Sequence, residues 1–368
     1  MNKEKLISYI QLINTAGVGP ISFKKLMDRH QDVDKVLKEL SLKKELFSRS
    51  LATKEVMTAE IKNVHIITLE DELYPYNLKQ IEDCPPVLYA LGDISILQNI
   101  NALAVVGSRN ASFASTKIAQ KISSEISEHG ITIISGMARG IDRASHEGAI
   151  SCGGKTIAVL GTGVDVVYPK ENQDLYNQIK KHGLILSEYP LGTAPQASNF
   201  PRRNRIVSGL SKGVLVIEAS IKSGSLITAN QALEQGRDVY AIPGAPFDGR
   251  TSGCNKLLKD GAILVETSSD ILNNFSFTQK EFISYKPKKD EKQELFEYSL
   301  DNEENNKDIA DNIDDYSKLL LLVSEVGTDI DELIRASNKP SEEILMMIME
   351  LELDGKIVRL PGNKIAKA

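Results

Sequence analysis

The chain has 368 residues, 41% of them apolar, no Trp, and a formal net charge of −6 from 44 Lys+Arg against 50 Asp+Glu. That length exceeds one average domain, and the balance of charged and apolar residues is that of a globular protein, neither collagen-like nor largely disordered. No apolar run approaches the roughly 20 residues that span a bilayer, no signal-peptide pattern opens the chain, and the cysteines Cys84, Cys152 and Cys254 form neither a CxxC nor a zinc-ligand spacing. The expectation is a cytoplasmic protein with no metal, no cofactor and no disulfide framework. Taken as uniform, the negative charge argues against nucleic acid, because neutralising phosphates needs Lys and Arg.

Residues 1–63 read as a small helical domain of SAM or helix-hairpin-helix type. Leu6, Ile10 and Ile13 recur at helical spacing, Gly17-Val18-Gly19-Pro20 breaks the pattern, and Pro20 opens the next helix. A Gly-Val-Gly turn between helices either presents backbone N–H groups to a DNA phosphate or is a plain turn. Residues 64–100 read as an extended bridge, stiffened by Pro85-Pro86.

Residues 101–275 alternate apolar runs (Leu103–Val106, Ile131–Ile134, Thr156–Leu160, Leu184–Leu186, Val214–Ile217, Val239–Ile242, Ile263–Val265) with helix-length segments. Strands apolar throughout and separated by helices predict an α/β domain, a Rossmann-like doubly wound parallel sheet covered on both faces. Residues 276–315 read as an acidic linker, in which Leu300–Asp315 holds seven acids against Lys307 alone. Residues 316–368 have the outline of a winged helix, its third helix opening at Ser341 and a Pro361-Gly362-Asn363 turn in the wing.

In a parallel sheet the functional groups gather on the loops that leave the carboxyl ends of the strands. Here those loops hold Gly107-Ser108-Arg109, Gly136, Gly161, Lys170, Arg202-Arg203 and Lys222-Ser223-Gly224-Ser225. Glycine and serine at a strand end let the backbone approach an anion, and gathered with cations they predict a phosphate-binding edge. Phe200, beside Pro201 and two arginines, is either a loop anchor or a stacking surface for a base.

Enzyme signatures are weak. Gly161-Thr162-Gly163 lacks the third glycine of a dinucleotide turn, and no GxxxxGK[ST] occurs. The histidines His30, His65, His129, His146 and His182 read as surface or capping groups, and Cys152 has no base placed beside it. Asp142, Asp165 and Glu218 read as caps or ion-pair partners.

Several segments in order carry a resemblance: VVGSRNAS (105–112), SGMARGIDRASHEGA (135–149), AVLGTGVDVVYPKEN (158–172), SEYPLG (187–192), NFPRRNRIVSGLS (199–211), VIEASIKSGSLITANQALEQGRDVYAIPG (216–244) and GCNKLLKDGA (253–262). Together they resemble the DprA/Smf family of DNA processing proteins. The resemblance implies a single-stranded-DNA-binding recombination mediator without enzymatic activity. Such a protein protects incoming DNA during natural transformation, displaces single-strand-binding protein, loads RecA and dimerises through the Rossmann-like domain. By position it implies strand contacts at Arg109, Lys170, Phe200, Arg202, Arg203 and Lys222, with Gly107, Ser108, Ser223, Gly224 and Ser225 in the adjoining turns. Dimer contacts are implied around Leu257, Leu258 and Ile263.

The competing reading is a nucleotide-processing enzyme of the lysine-decarboxylase-like phosphoribohydrolase type, whose PGGxGTxxE motif is absent here. In the C-terminal module, Ser341–Gly355 carries Glu342, Glu343, Glu350, Glu352 and Asp354 with no Lys or Arg, so DNA repels it. That module is expected to bind protein, or DNA only through Lys356, Arg359, Lys364 and Lys367. The charge balance then resolves: one base against seven acids in Leu300–Asp315 accounts for the whole −6, while Phe200–Ile217 has Arg202, Arg203, Arg205 and Lys212 and no acid.

Overall fold

The computed structural model describes residues 2–98, 100–275 and, in the C-terminal part, 316, 319, 323, 327–330, 333–334, 341–360, 362 and 364–367. The chain divides into two compact units, residues 1–283 and 284–368. The expected linker 276–315 lies outside the described residues. Among those residues no helix is long and apolar enough to cross a membrane.

The first unit opens with four helices, each started by a side-chain or glycine cap: α1 (Lys3–Ile13) by Asn2, α2 (Pro20–His30) by Gly19, α3 (Val33–Ser41) by Asp32 and α4 (Arg49–Ile61) by Ser48. Residues 64–100 then do more than bridge. They supply β1 (His65–Thr68), the short helix α5 (Tyr76–Lys79) and β2 (Val87–Gly92), and both strands join the sheet. The apolar runs Ile66-Ile67 and Val87–Leu91 are present in the sequence, but the first is short and the second follows Pro85-Pro86, and their antiparallel pairing onto the sheet is a tertiary event.

The doubly wound part follows in the predicted alternation. It runs β3 (Ala102–Gly107), α6 (Phe113–Glu128), β4 (Thr132–Ser135), α7 (Ile141–Ser151) and β5 (Thr156–Val159). Next come α8 (Gln173–His182), β6 (Leu184–Ser187), α9 (Asn199–Leu210), β7 (Gly213–Ile217) and α10 (Ser225–Glu234), then β8 (Asp238–Ala241), α11 (Ser252–Lys259), β9 (Ile263–Leu264) and α12 (Ser268–Leu272). The sheet has nine strands in the order β1-β2-β6-β5-β4-β3-β7-β8-β9. From β6 to β9 all neighbours are parallel, whereas β2 pairs antiparallel with β6 and β1 with β2. The order reverses at β3, which lies between β4 and β7.

Alternate residues of β3 face opposite layers, as a pleated strand requires. Ala102, Ala104 and Val106 pack with Ile206, Val207 and Leu210 of α9 and Ala229 and Ala232 of α10. Leu103 and Val105 pack with Ile122 and Ile126 of α6 and Ile141 and Ala144 of α7. The N-terminal helices pack onto the sheet: Tyr9, Leu12, Phe23, Val36 and Leu40 share one core with Tyr89 of β2, Ala158 of β5 and Ile185 of β6.

In the second unit, β10 (Thr328–Asp329), β11 (Ile357–Leu360) and β12 (Lys364–Lys367) form an antiparallel sheet ordered β10-β12-β11, and α13 spans Ser341–Leu353. The β11–β12 hairpin and the helix opening at Ser341 are those the sequence predicts for a winged helix. Ile344, Met347, Ile348 and Leu351 of α13 pack with Leu319, Val323, Ile357 and Ile365 in a core of their own.

Candidate nucleic-acid interface

Loops at the carboxyl ends of β3, β4 and β5 converge with the start of α9. Arg109, Gly136, Ala138, Arg139, Tyr168, Pro169, Phe200 and Arg203 line a shallow pocket there, three arginines and two aromatic rings with no carboxylate. The Tyr168 and Phe200 ring centroids are 5.3 Å apart with planes inclined at 38°, and the Arg109 guanidinium lies 5.6 Å from the Phe200 centroid. The Phe200 ring rests on Gly161, where an added Cβ would come within 3.0 Å of it. Just before it, the Asn199 amide donates to the Gly161 carbonyl at 3.1 Å and pins the start of α9. Phe200 is therefore both anchor and platform: half-buried, with Arg109 and Tyr168 beside it.

Arg203, one helical turn on, is the pocket's floor. It is 4% exposed, and its Nη1 donates to the Val159 carbonyl at the end of β5. The guanidinium lies directly on Gly136, where an added Cβ would sit 2.2 Å from Nη1. Burial pushes the Arg203 pKa down to about 10, with the Asp142 carboxylate opposing that shift and Arg109 reinforcing it. Arg203 thus stays cationic at neutral pH but has little surface to offer a strand. Asp142, itself buried, accepts from the Gly136 and Ala138 amides at 3.1 and 3.3 Å, and burial raises its pKa.

The glycine-serine turn after β3 is occupied internally. The Ser108 amide donates to the Glu218 carbonyl at 2.9 Å. The Ser112 amide, at the N-cap of α6, donates to both Glu218 carboxylate oxygens at 3.0 Å, and the Ser112 hydroxyl donates at 2.5 Å. The helix end at which an α/β domain ordinarily takes a phosphate therefore holds this protein's own carboxylate, 4% exposed. The Ser112 partner lies 106 residues away along the chain, so local sequence does not reveal it.

The other predicted residues divide by location. Lys170 is exposed one residue past Pro169. Lys222 is exposed after β7 with no ion pair among the described residues, and Ser223 and Ser225 hydroxyls lie 2.7 Å apart beside Gly224, which starts α10 without a side-chain cap. None of these lines the Phe200 pocket. Arg202 is exposed but lines a neighbouring groove. Arg139 and Tyr168 also line the pocket though the sequence pattern does not single them out; their position on loops after strands is the signal it offers. Of the residues expected at a dimer contact, Leu257 is 7% exposed and packs in the core under β7 and β8, and Leu258 and Ile263 are partly buried by their own chain.

Among the described residues, several titratable groups are buried or already paired. His146 is fully buried, with Nδ1 2.6 Å from the Thr156 hydroxyl, and burial followed by the Arg203 charge pushes its pKa down to about 3. Asp165 accepts from the Gly192 amide at 2.7 Å and pairs with Lys62 at 2.6 Å. Burial raises the pKa of the Cys84 and Cys254 thiols. Among the described residues no group of three His, Cys, Asp or Glu is placed to hold a metal ion.

Residues 65–276 match the family described as DNA recombination-mediator protein A, and residues 303–363 match the DprA winged helix domain. The chain is 38% identical over 320 residues to Protein Smf of Escherichia coli, covering 87% of this chain and 82% of that one. It is 44% identical over 221 residues to the DNA processing protein DprA of Streptococcus pneumoniae, covering 60% and 78%. An X-ray structure of DprA from S. pneumoniae superposes with a TM-score of 0.65 at 36% identity, over 74% of this chain and 99% of that one. A structure described as giving the single-stranded DNA binding mode of DNA processing protein A from Helicobacter pylori superposes with a TM-score of 0.52 at 30% identity, over 57% and 95%. With the nine-stranded sheet, the NFPRRNR helix and the family match in agreement, the chain belongs to the DprA/Smf family of DNA processing, recombination-mediator proteins.

Proposed function

We propose that this protein is a non-enzymatic recombination mediator that holds single-stranded DNA without sequence preference, with Arg109, Tyr168 and Phe200 as its central contact. One observation carries the reading: aromatic rings and arginines line a single pocket that has no carboxylate. Every base has a π-face, so stacking is sequence-tolerant and worth about 1 to 3 kcal/mol per base, while the arginines neutralise phosphates. The pocket holds about 30 Å³, a fraction of the several hundred Å³ in which enzymes enclose a small substrate. That supports a stacking platform over a nucleotide-processing site. Lys170 and Lys222, exposed on flanking loops, extend the cationic edge. Loading of RecA, displacement of single-strand-binding protein, dimerisation through the first unit and a role in DNA uptake in the cytoplasm belong to the same proposal and rest on the family resemblance.

The test is polarisation binding of labelled oligo-dT across a salt series. Wild type is expected to show a steep negative slope of log affinity against log salt, and Arg109→Ala a slope shallower by about 1. Phe200→Ala loses about 1 to 3 kcal/mol with its slope unchanged. Unchanged affinity in both variants removes the site, and release of base from nucleoside monophosphates transfers the reading to the enzyme class.

A further inference from the structure

The Gly17-Val18-Gly19-Pro20 turn plays no part in the Phe200 pocket, yet it ends at an open helix terminus. α2 starts with Gly19 as N-cap and Pro20 in its first turn. Glycine has no side chain to cap with, and the Ser22 hydroxyl turns back to accept from the Gly19 amide at 2.8 Å. The Ile21 and Ser22 amides at the positive end of this 11-residue helix are thus given no side-chain acceptor. They border a groove of about 600 Å³ whose opposite wall is the start of α9.

A helix terminus alone does not make a site; Arg205 supplies the second observation. It lines the same groove and is only 8% exposed. Its Nε pairs with Asp83 at 3.1 Å and its Nη2 with Glu188, but Nη1 has no hydrogen-bond partner. A buried guanidinium N–H left open lacks an acceptor. Lys25 and Arg202 line the groove as well, against Asp83 as the acid among its lining residues, so even with Glu188 behind Arg205 the space carries net positive charge. The groove adjoins the candidate interface along the chain: Pro201 and Arg202, which line it, directly follow Phe200.

We propose that this groove is a second subsite for the phosphodiester backbone of the same single strand. A phosphate there accepts from the Ile21 and Ser22 amides and is neutralised by Lys25, Arg202 and Arg205, so that the strand runs from the sheet edge onto the N-terminal helices. The inference rests on the reading that the Phe200 pocket binds a single strand, and it gives Arg202 a role that the pocket does not.

Gly19→Asp is the sharpest variant. Gly19 has a φ of −101°, and an added Cβ meets nothing within 4 Å, so the substitution is sterically free. Its carboxylate becomes an N-cap that takes the first-turn amides and repels phosphate. Binding is measured in the full chain with oligo-dT of about 6 nucleotides, within the range that one single-strand groove engages, and of about 20. Gly19→Asp and Lys25→Glu are expected to bind the short oligo like wild type and the long one about five- to tenfold more weakly. Gly19→Asp should do so with a Tm no lower than wild type, and Gly19→Ala, which adds the Cβ without the charge, should keep full affinity. Wild-type affinity for the long oligo in both charged variants overturns the subsite, as does an equal loss at both lengths. Arg109→Ala separates the two readings: weaker binding at both lengths leaves the sheet-edge site standing even if the groove variants fail, and unchanged binding removes both.

Discussion

Glu218, at the end of β7, closes the N-terminus of α6 by accepting from both the amide and the hydroxyl of Ser112. The backbone at Glu218 sits in the left-handed region, with a φ of 49°, a conformation that costs an ordinary side chain about 1 kcal/mol or more. The capping contacts offset that cost. Glu218→Ala is expected to destabilise the fold by about 2 kcal/mol in urea denaturation, and Glu218→Gln, which keeps one acceptor oxygen, by less. Equal stability of wild type and Glu218→Ala would contradict the capping role.

Arg203 and Arg109 share a pocket but differ in kind, and denaturation separates them. Arg203→Ala removes the cation beside the buried Asp142 and the donor to the Val159 carbonyl, at a cost of about 3 kcal/mol. Arg109 is exposed, so Arg109→Ala stays within about 0.5 kcal/mol of wild type. Gly136→Ala drives a methyl into the Arg203 guanidinium and costs about 1 to 3 kcal/mol. If Arg203→Ala is as mild as Arg109→Ala, the floor assignment fails.

His146 makes acid stability a probe of the same region. Its pKa is held at about 3 in the folded chain, against about 6.5 when unfolded. Below pH 6.5 only the unfolded chain takes this proton, so the stability present above 6.5 is lost as pH falls towards 3. The Tm of wild type is expected to fall more steeply between about pH 6.5 and pH 4 than that of His146→Gln, since the carboxylates common to both cancel in the comparison. Parallel curves would show that His146 is protonated in the fold.

The C-terminal unit is expected to leave duplex DNA unbound at physiological salt. Two cations of its wing are already committed: Arg359 pairs with Glu352 at 2.9 Å and Lys356 with Asp354 at 3.3 Å, both acids at the end of α13 or just past it. An electrophoretic shift of a duplex by fragment 316–368 is the result that would reverse this expectation.

The sequence by itself determined the alternation of strands and helices, because strands buried on both faces are apolar along most of their length and the helices between them are not. It also placed the cations at the strand ends and showed that the acidic charge is local, as both are matters of order along the chain. Only the tertiary structure decided what each charge does. Arg202 and Arg203 are adjacent in sequence, yet a helix turns successive side chains about 100° apart, so Arg203 points down onto Gly136 while Arg202 lines the groove by Gly19. Glu218 and Ser112 meet because β7 returns to lie beside β3, and β1 and β2 are strands because the sheet offers them an edge. Such pairings join residues far apart in the chain, and local periodicity holds no record of them.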